Sequence, residues 1–103
     1  MHVSVFEYRL TGTTAEAWAE TCVELAPAFA QVPGLVSKIW LKSPEDHFGG
    51  VYLWEDEASY RAFLASDLGA ALAGHPHIGD LTMRDWPVDQ APTAITMGRL
   101  QPV

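Results

Sequence analysis

Apolar and polar residues alternate in four segments of this chain, which is the pattern of half-buried β-strands. The segments cover residues 3–10, 35–42, 48–55 and 80–88. The second and third are joined by a short stretch dense in turn-forming residues, so they are predicted to form a hairpin. The alternation therefore predicts four strands.

Two further segments carry helical signals. A capping box predicts the start of the first helix, because the Thr13 hydroxyl can accept a hydrogen bond from the Glu16 amide. Pro27 lies inside this helix and is expected to kink it or remove a hydrogen bond. Asp56 is the expected N-cap of a second helix that reaches Leu64. Apolar residues recur at helical spacing on one face of the first helix, namely Ala15, Trp18, Ala19, Cys22, Leu25, Ala26 and Phe29.

The predicted elements follow the order β-α-β-β-α-β, which is the ferredoxin-like arrangement of an α+β fold. Right-handed crossovers put both helices on one face of an antiparallel sheet. The other face then stays bare, and monomeric proteins rarely expose a large apolar face. We therefore expect two such sheets to pack face to face across a two-fold axis, as a dimeric α+β barrel. Residues 1–88 are predicted to form this single domain, and residues 89–103 an extended C-terminal tail.

Alternation along the strands divides the sheet residues into two faces. Gly49-Gly50 indicates a bulge or a close backbone approach, and a bulge there would exchange the faces of the third strand. The residues expected to meet the helices are Phe6, Tyr8, Leu10, Leu35, Ile39, Leu41, Val51, Leu53, Leu81 and Met83. Those expected on the bare face are Val5, Glu7, Arg9, Val36, Lys38, Trp40, Tyr52, Trp54, Thr82, Arg84 and Trp86.

Composition narrows the class of protein. A chain of 103 residues suits one domain with one core. The formal charge of −7, with six Lys plus Arg, argues against nucleic acid and anionic membranes as partners, since both require clustered basic residues. No apolar run is long enough to span a bilayer and no signal peptide is recognisable, so a cytoplasmic protein is expected. The single cysteine, Cys22, lies on the apolar helix face and is expected to be a buried, inert thiol.

One set of residues resembles a known family. The set is Pro33-Gly34-Leu35, Lys38-Ile39-Trp40, Ser43, His47, Gly49-Gly50-Val51-Tyr52-Leu53, Asp56-Glu57, Ser59, Arg84 and Trp86. It is similar to the YdhR-like monooxygenases of the dimeric α+β barrel superfamily, which also holds the antibiotic-biosynthesis monooxygenases. The resemblance covers roughly residues 3–99.

The resemblance implies a homodimer and an apolar pocket, either between sheet and helices or inside the barrel. It also implies oxygenation of a small hydrophobic aromatic or polyketide-like substrate without a bound flavin, metal or other cofactor. Relatives that form quinones or degrade haem rely on an asparagine near a tryptophan. This chain has no asparagine, so Trp40 would have to work with Gln31, Gln90 or another group.

The candidate site residues follow from the chemistry that oxygenation without a cofactor requires: a dry cavity, a base and donors for an oxyanion. His75 and His77 flank Pro76 in a loop and are candidate bases. Arg84 and Lys38 are candidates for holding the substrate anion. The predicted catalytic residues are His75, His77 and Arg84, and the predicted substrate-binding residues are Glu7, Lys38, Trp40, His47, Tyr52, Trp54 and Trp86.

Each candidate also has a structural interpretation. The tryptophans and Tyr52 are equally consistent with a dimer core, His47 with turn chemistry, and Arg84 with a salt bridge to Glu7 or Asp85. The His75-Pro76-His77 segment predicts no metal site, since a strand-like His-x-His points its rings to opposite sides. Besides the monooxygenase, three alternatives stay open: a cyclase or isomerase of the same superfamily, a ligand-binding dimer without catalysis, and a haem-degrading enzyme.

Overall fold

A computed structural model describes residues 1–43 and 47–96. Within them the chain forms four strands and four helices. In chain order these are β1 (His2–Leu10), α1 (Ala15–Ala30), β2 (Leu35–Lys42), β3 (His47–Trp54), α2 (Glu57–Ala65), α3 (Asp67–Ala73), β4 (Ile78–Pro87) and α4 (Gln90–Thr96). The ferredoxin-like α+β fold is confirmed.

The four strands form one antiparallel sheet in the order β2-β3-β1-β4. β1 lies between the third and fourth strands, as the ferredoxin-like order requires. Helix α4 occupies part of the segment that was expected to be extended, and residues 97–103 of that predicted tail lie outside the described residues. No helix in residues 1–43 and 47–96 has the length and apolar character needed to cross a membrane.

The helix starts follow the capping signals with one correction. Asp56 caps α2 as predicted, because its carboxylate accepts hydrogen bonds from the Ser59 amide and hydroxyl. The cap of α1 is Thr14 rather than Thr13, and its hydroxyl accepts from the Ala17 amide. Thr14 has the extended backbone that an N-cap requires. Helix α1 continues through Pro27 to its end.

The aromatic residues of the hairpin face the helices, opposite to the prediction. Tyr52 is 1% exposed and Trp54 is 0% exposed, and both belong to the core that α1 and α2 cover. Lys38 and Trp40 lie on this same face, because they pair with Tyr52 and Gly50. The predicted inward positions Ile39, Leu41, Val51 and Leu53 therefore lie on the bare face.

A bulge explains part of this error. It lies in β2, between Leu35 and Ser37, and not at Gly49-Gly50. Leu35 consequently packs on the core together with Trp40, two positions that simple alternation puts on opposite faces. Gly49 serves the close backbone approach that was the other expectation, since a Cβ there would collide with the Phe6 carbonyl oxygen.

The other reason is the size of the rings. The helices supply Phe29, Tyr60 and Phe63 to the core, and these pack against Tyr52 and Trp54. Burying aromatic rings removes more apolar surface from water than burying aliphatic side chains does. The bare face keeps the smaller apolar residues Val3, Val5, Ile39, Val51 and Leu53, together with the partly exposed Trp86.

Candidate functional site

A groove runs between α1 and the strands β2 and β3. We call it the α1 groove. Its helix side consists mainly of small residues, which keep the helix backbone near the sheet but leave space between side chains. Its first lobe has a volume of about 360 Å³ and is lined by Tyr8, Ala19, Cys22, Val23, Ala26, Trp40, Leu41, Lys42, Phe48 and Gly49.

A second lobe of about 280 Å³ adjoins the first at Ala26 and Trp40, which line both. Its other lining residues are Phe29, Ala30, Leu35, Val36, Ser37 and Lys38. The two lobes together provide a mainly apolar cleft with two lysines, the exposed Lys42 at its end and the partly buried Lys38 inside it, and a mainly apolar cleft with few polar groups is the usual composition of a small-molecule site.

The Lys38 amine is enclosed by aromatic rings. Its Nζ lies 3.3 Å from the ring centroid of Trp40, 3.5 Å from that of Phe29 and 4.6 Å from that of Tyr52. Within residues 1–43 and 47–96, no hydrogen bond or ion pair reaches this amine. Burial lowers the pKa of Lys38 to about 7, with Cys22 acting weakly in the opposite direction. Ring faces attract the charged form, but they do not replace the lost water.

Gly50 provides the room for this arrangement. It pairs with Trp40 across the hairpin, and a Cβ at Gly50 would lie 3.1 Å from Lys38 Cε and 3.1 Å from Tyr52 Cε1. Such contacts are tighter than ordinary van der Waals packing. The missing side chain therefore lets the lysine stem cross the sheet face toward the rings.

Three protonated acids, Tyr8, Tyr52 and Cys22, lie in the groove or beside the amine. Burial raises the pKa of the Tyr8 hydroxyl to about 12, although a hydrogen bond from Trp18 Nε1 at 3.0 Å opposes this. Burial also raises the pKa values of Tyr52 and Cys22. The predicted thiol of Cys22 is thus partly buried and protonated, while the neighbouring amine is ready to lose its proton. The groove holds neutral donors and one base.

The predicted bases His75 and His77 do not line the α1 groove. Both rings pack on Trp18, at centroid distances of 5.0 and 6.4 Å. Nδ1 of His77 makes a 2.8 Å hydrogen bond with the Thr11 carbonyl, and Nδ1 of His75 accepts from the His77 amide. Burial lowers the pKa of His75. These contacts hold the loop against β1, and in the described part of the chain no group of three His, Cys, Asp or Glu is arranged to hold a metal ion.

Arg84, Glu7 and Trp86 lie on the bare face, as predicted. Arg84 donates to the Glu7 carboxylate at 3.0 Å, and its guanidinium lies 5.9 Å from the Trp86 ring. Glu7 does not neighbour Tyr52, which faces the helices. The predicted set is therefore divided: only Lys38, Trp40 and Tyr52 gather at the amine, while Trp54 is fully enclosed in the core.

His47 begins β3 and is exposed, and its carbonyl accepts a hydrogen bond from the Ser43 amide. The turn before it lies outside the described residues. Sequence reasoning did not select Tyr8, Phe29, Phe48 or Cys22 as site residues. The repeated small residues of α1 are a signal for a groove, but their use required knowing which strands lie below them.

The fold and the groove define the class of protein as a ferredoxin-like α+β protein with a mainly apolar cleft beneath its first helix. The family model described as "Putative mono-oxygenase ydhR" matches residues 3–99. The chain belongs to this family. No match was found among curated proteins.

Solved structures show the same fold. A protein of unknown function from Nitrosomonas europaea is 17% identical, with a TM-score of 0.72, and 87% of this chain and 90% of that chain are covered. SnoaB, a cofactor-independent oxygenase from Streptomyces nogalater, is 21% identical, with a TM-score of 0.68 and coverage of 87% and 94%. The heme-degrader MhuD from Mycobacterium tuberculosis, with two hemes bound in its active site, is 19% identical, with a TM-score of 0.68 and coverage of 86% and 96%.

Proposed function

We propose that this protein is a cofactor-independent monooxygenase that acts on a small hydrophobic aromatic substrate bound in the α1 groove. The observation that carries the proposal is the Lys38 amine, which lies among aromatic rings at an apolar cleft and lacks a carboxylate partner within the described residues. Family membership and the likeness to a cofactor-independent oxygenase support the same reaction class.

The first step of the proposed reaction is removal of a proton from the substrate. A phenol or enolisable aromatic ketone reacts with dioxygen only as its electron-rich anion, so the protein must first remove a proton in a dry environment. Neutral Lys38 accepts it, and the resulting ammonium then stabilises the substrate anion. One oxygen atom enters the substrate as a carbonyl, and the other leaves as water with two hydrogens of the substrate. The substrate itself supplies the electrons.

Trp40 and the donors around the groove position the substrate in this proposal. Trp40 borders both lobes and offers a flat face on which an aromatic ring can stack. The Tyr8 hydroxyl stays protonated and can donate to an oxyanion. Arg84, His75 and His77 are left out of the chemical step because none of them lines the groove.

Oxygen consumption tests the proposal. Metal-free protein is mixed with a panel of quinols, anthrones and hydroxylated aromatics, and oxygen uptake is measured. Lys38→Met is expected to reduce kcat/KM about 100-fold because the base is lost, whereas Arg61→Met, which removes an exposed cation on α2 outside the groove, retains it. In the wild type, kcat/KM should rise with pH and level off above about 7, where Lys38 loses its proton.

The other outcomes decide between the alternatives. Product formation that continues without oxygen would identify a cyclase or isomerase. Tight binding of aromatic ligands without turnover across the panel would favour a ligand-binding protein. Equal activity of the Lys38→Met and Arg61→Met variants would remove Lys38 from the mechanism.

We also propose that the bare sheet face pairs with a second copy of the chain. The face is apolar, and two-fold packing of such a face buries it on both copies. Ile39, which is 50% exposed in the single chain, is expected to become buried. Ile39→Glu should therefore convert a dimer to a monomer in light scattering after size exclusion. Val23→Glu, a matched change at a 74% exposed position on α1, should leave the dimer intact. A wild-type protein that stays monomeric at all concentrations would contradict this proposal.

A further inference from the structure

The chain has two lysines, and their surroundings differ. Both belong to β2, and both lie on the helix side of the sheet. Lys42 is exposed at the end of the strand, while Lys38 is partly buried with its Nζ among Phe29, Trp40 and Tyr52. The second lobe of the α1 groove leads to Lys38, so a small molecule can reach the amine from solvent.

A desolvated amine of this kind is a nucleophile as well as a base. Lysines that form imines in enzymes are activated by an apolar pocket that keeps the amine neutral. Lys38 has this environment, and burial brings its pKa to about 7. Cys22 is the titratable group that acts on the amine electrostatically, and its thiol stays protonated because burial raises its pKa.

We propose that Lys38 forms a reversible imine with small apolar aldehydes and ketones that enter the second lobe of the α1 groove. The Nζ lone pair attacks the carbonyl carbon and a C–N bond forms. The carbonyl oxygen leaves as water together with both protons of the neutral amine. No oxidant or reductant takes part.

The surrounding rings select the carbonyl compound. Phe29 and Trp40 lie edge to face with centroids 5.3 Å apart, and together with Tyr52 they enclose the reacting nitrogen. An aromatic carbonyl compound can stack on these rings, whereas a small carbonyl compound with a carboxylate gains no such contact. The rings also stabilise the protonated imine, which carries the positive charge formerly on the ammonium.

This activity goes beyond the proposed oxygenation. It uses the same groove and the same amine, but it needs neither oxygen nor turnover. Lys38 can therefore form an imine even if the protein has no oxygenase activity, and the protein can have oxygenase activity even if Lys38 forms no imine. The two proposals fail separately.

Reductive trapping tests the imine. Wild-type protein is incubated at pH 7 with benzaldehyde and sodium cyanoborohydride, which reduces an imine to a stable benzylamine, and the labelled positions are mapped by peptide mass spectrometry. Lys38 is expected to be labelled at least about tenfold faster than Lys42, because far more of its amine is neutral at this pH. Mapping separates both from the Met1 amine.

Two comparisons make the result decisive. Lys42→Arg should leave labelling at Lys38 unchanged, and Lys38→Arg should abolish the fast phase while circular dichroism confirms folding. Glyoxylate, an aldehyde with a carboxylate, should show no preference for Lys38. Labelling of Lys38 no faster than Lys42, or equal preference for glyoxylate and benzaldehyde, would overturn the proposal. The main comparison, between the labelling rates of Lys38 and Lys42, is made in the wild-type protein, so it stands even if a variant fails to fold.

Discussion

Replacement of Lys38 by methionine is expected to stabilise the protein by about 2–4 kcal/mol at pH 6. This is less than the full pKa shift would give at about 1.4 kcal/mol per unit, because solvent screens an amine that is only partly buried. The pKa of Lys38 falls from 10.5 in the unfolded chain to about 7 in the folded protein. Folding therefore releases a proton between these values, and stability rises with pH across this window. Below pH 7 the full cost of desolvating the ammonium remains, and methionine removes it while filling the same apolar space.

Urea denaturation at pH 6 and pH 9 checks this expectation. The stability difference between wild type and Lys38→Met should shrink as pH rises. The raised pKa values keep Tyr8 and Tyr52 neutral at pH 9 in both proteins. Burial raises the pKa of the Cys22 thiol and the charge of Lys38 lowers it, so removing Lys38 raises this pKa further and keeps the thiol protonated in the variant. Lys42→Met should change stability by no more than about 0.5 kcal/mol, as exposed substitutions usually do. A difference that stays constant with pH would show that the Lys38 amine is well solvated.

Trp54→Ala is expected to destabilise the fold by about 3–5 kcal/mol, the usual cost of removing a large buried aromatic side chain. Trp54 is fully buried and stacks parallel to Tyr52, with ring centroids 5.8 Å apart. Its Nε1 donates a hydrogen bond of 2.9 Å to the Ser4 hydroxyl. The substitution therefore leaves a cavity and also an unpaired buried hydroxyl group, and both raise the free energy of the folded state.

Trp86→Ala is the matched control, since Trp86 is 47% exposed on the bare face. In denaturant titrations at fixed protein concentration, the midpoint should fall much less for Trp86→Ala than for Trp54→Ala. If the chain dimerises through this face, the Trp86 variant should instead show a weaker dimer on dilution. Equal decreases in the denaturation midpoint of the two variants, with no change in dimer dissociation on dilution, would contradict the described difference in burial between Trp54 and Trp86.

Local patterns were sufficient for the elements and their order. Alternation identified the strands, and Asp56 marked the start of α2, because capping and strand periodicity involve residues close together in the chain. The β-α-β-β-α-β order then restricted the sheet topology, and β1 lies at the predicted place between β3 and β4. The predicted N-cap of α1, Thr13, was one residue too early, since Thr14 caps the helix.

The site was predicted less well, and the reason is visible at Lys38. The sequence marked Lys38, Trp40 and Tyr52 as a group, but on the wrong face of the sheet. Phe29, on the helix before the hairpin, packs against the Lys38 amine, and the absence of a side chain at Gly50 leaves room for the lysine stem. Neither contact follows from spacing along one strand. His75 and His77 were selected for their chemistry, yet their rings pack on Trp18.

By itself, then, the sequence determined the type and order of the elements, the family, and the presence of a bare apolar sheet face. The tertiary structure decided which strand residues lie on that face and which residues enclose the Lys38 amine. A bulge between Leu35 and Ser37 interrupts the alternation of side chains along β2. Strict alternation from Leu35 therefore assigns the residues after the bulge to the wrong face of the sheet. The pKa of Lys38 is likewise set by rings distant in the chain, since desolvation depends on everything that surrounds a charge.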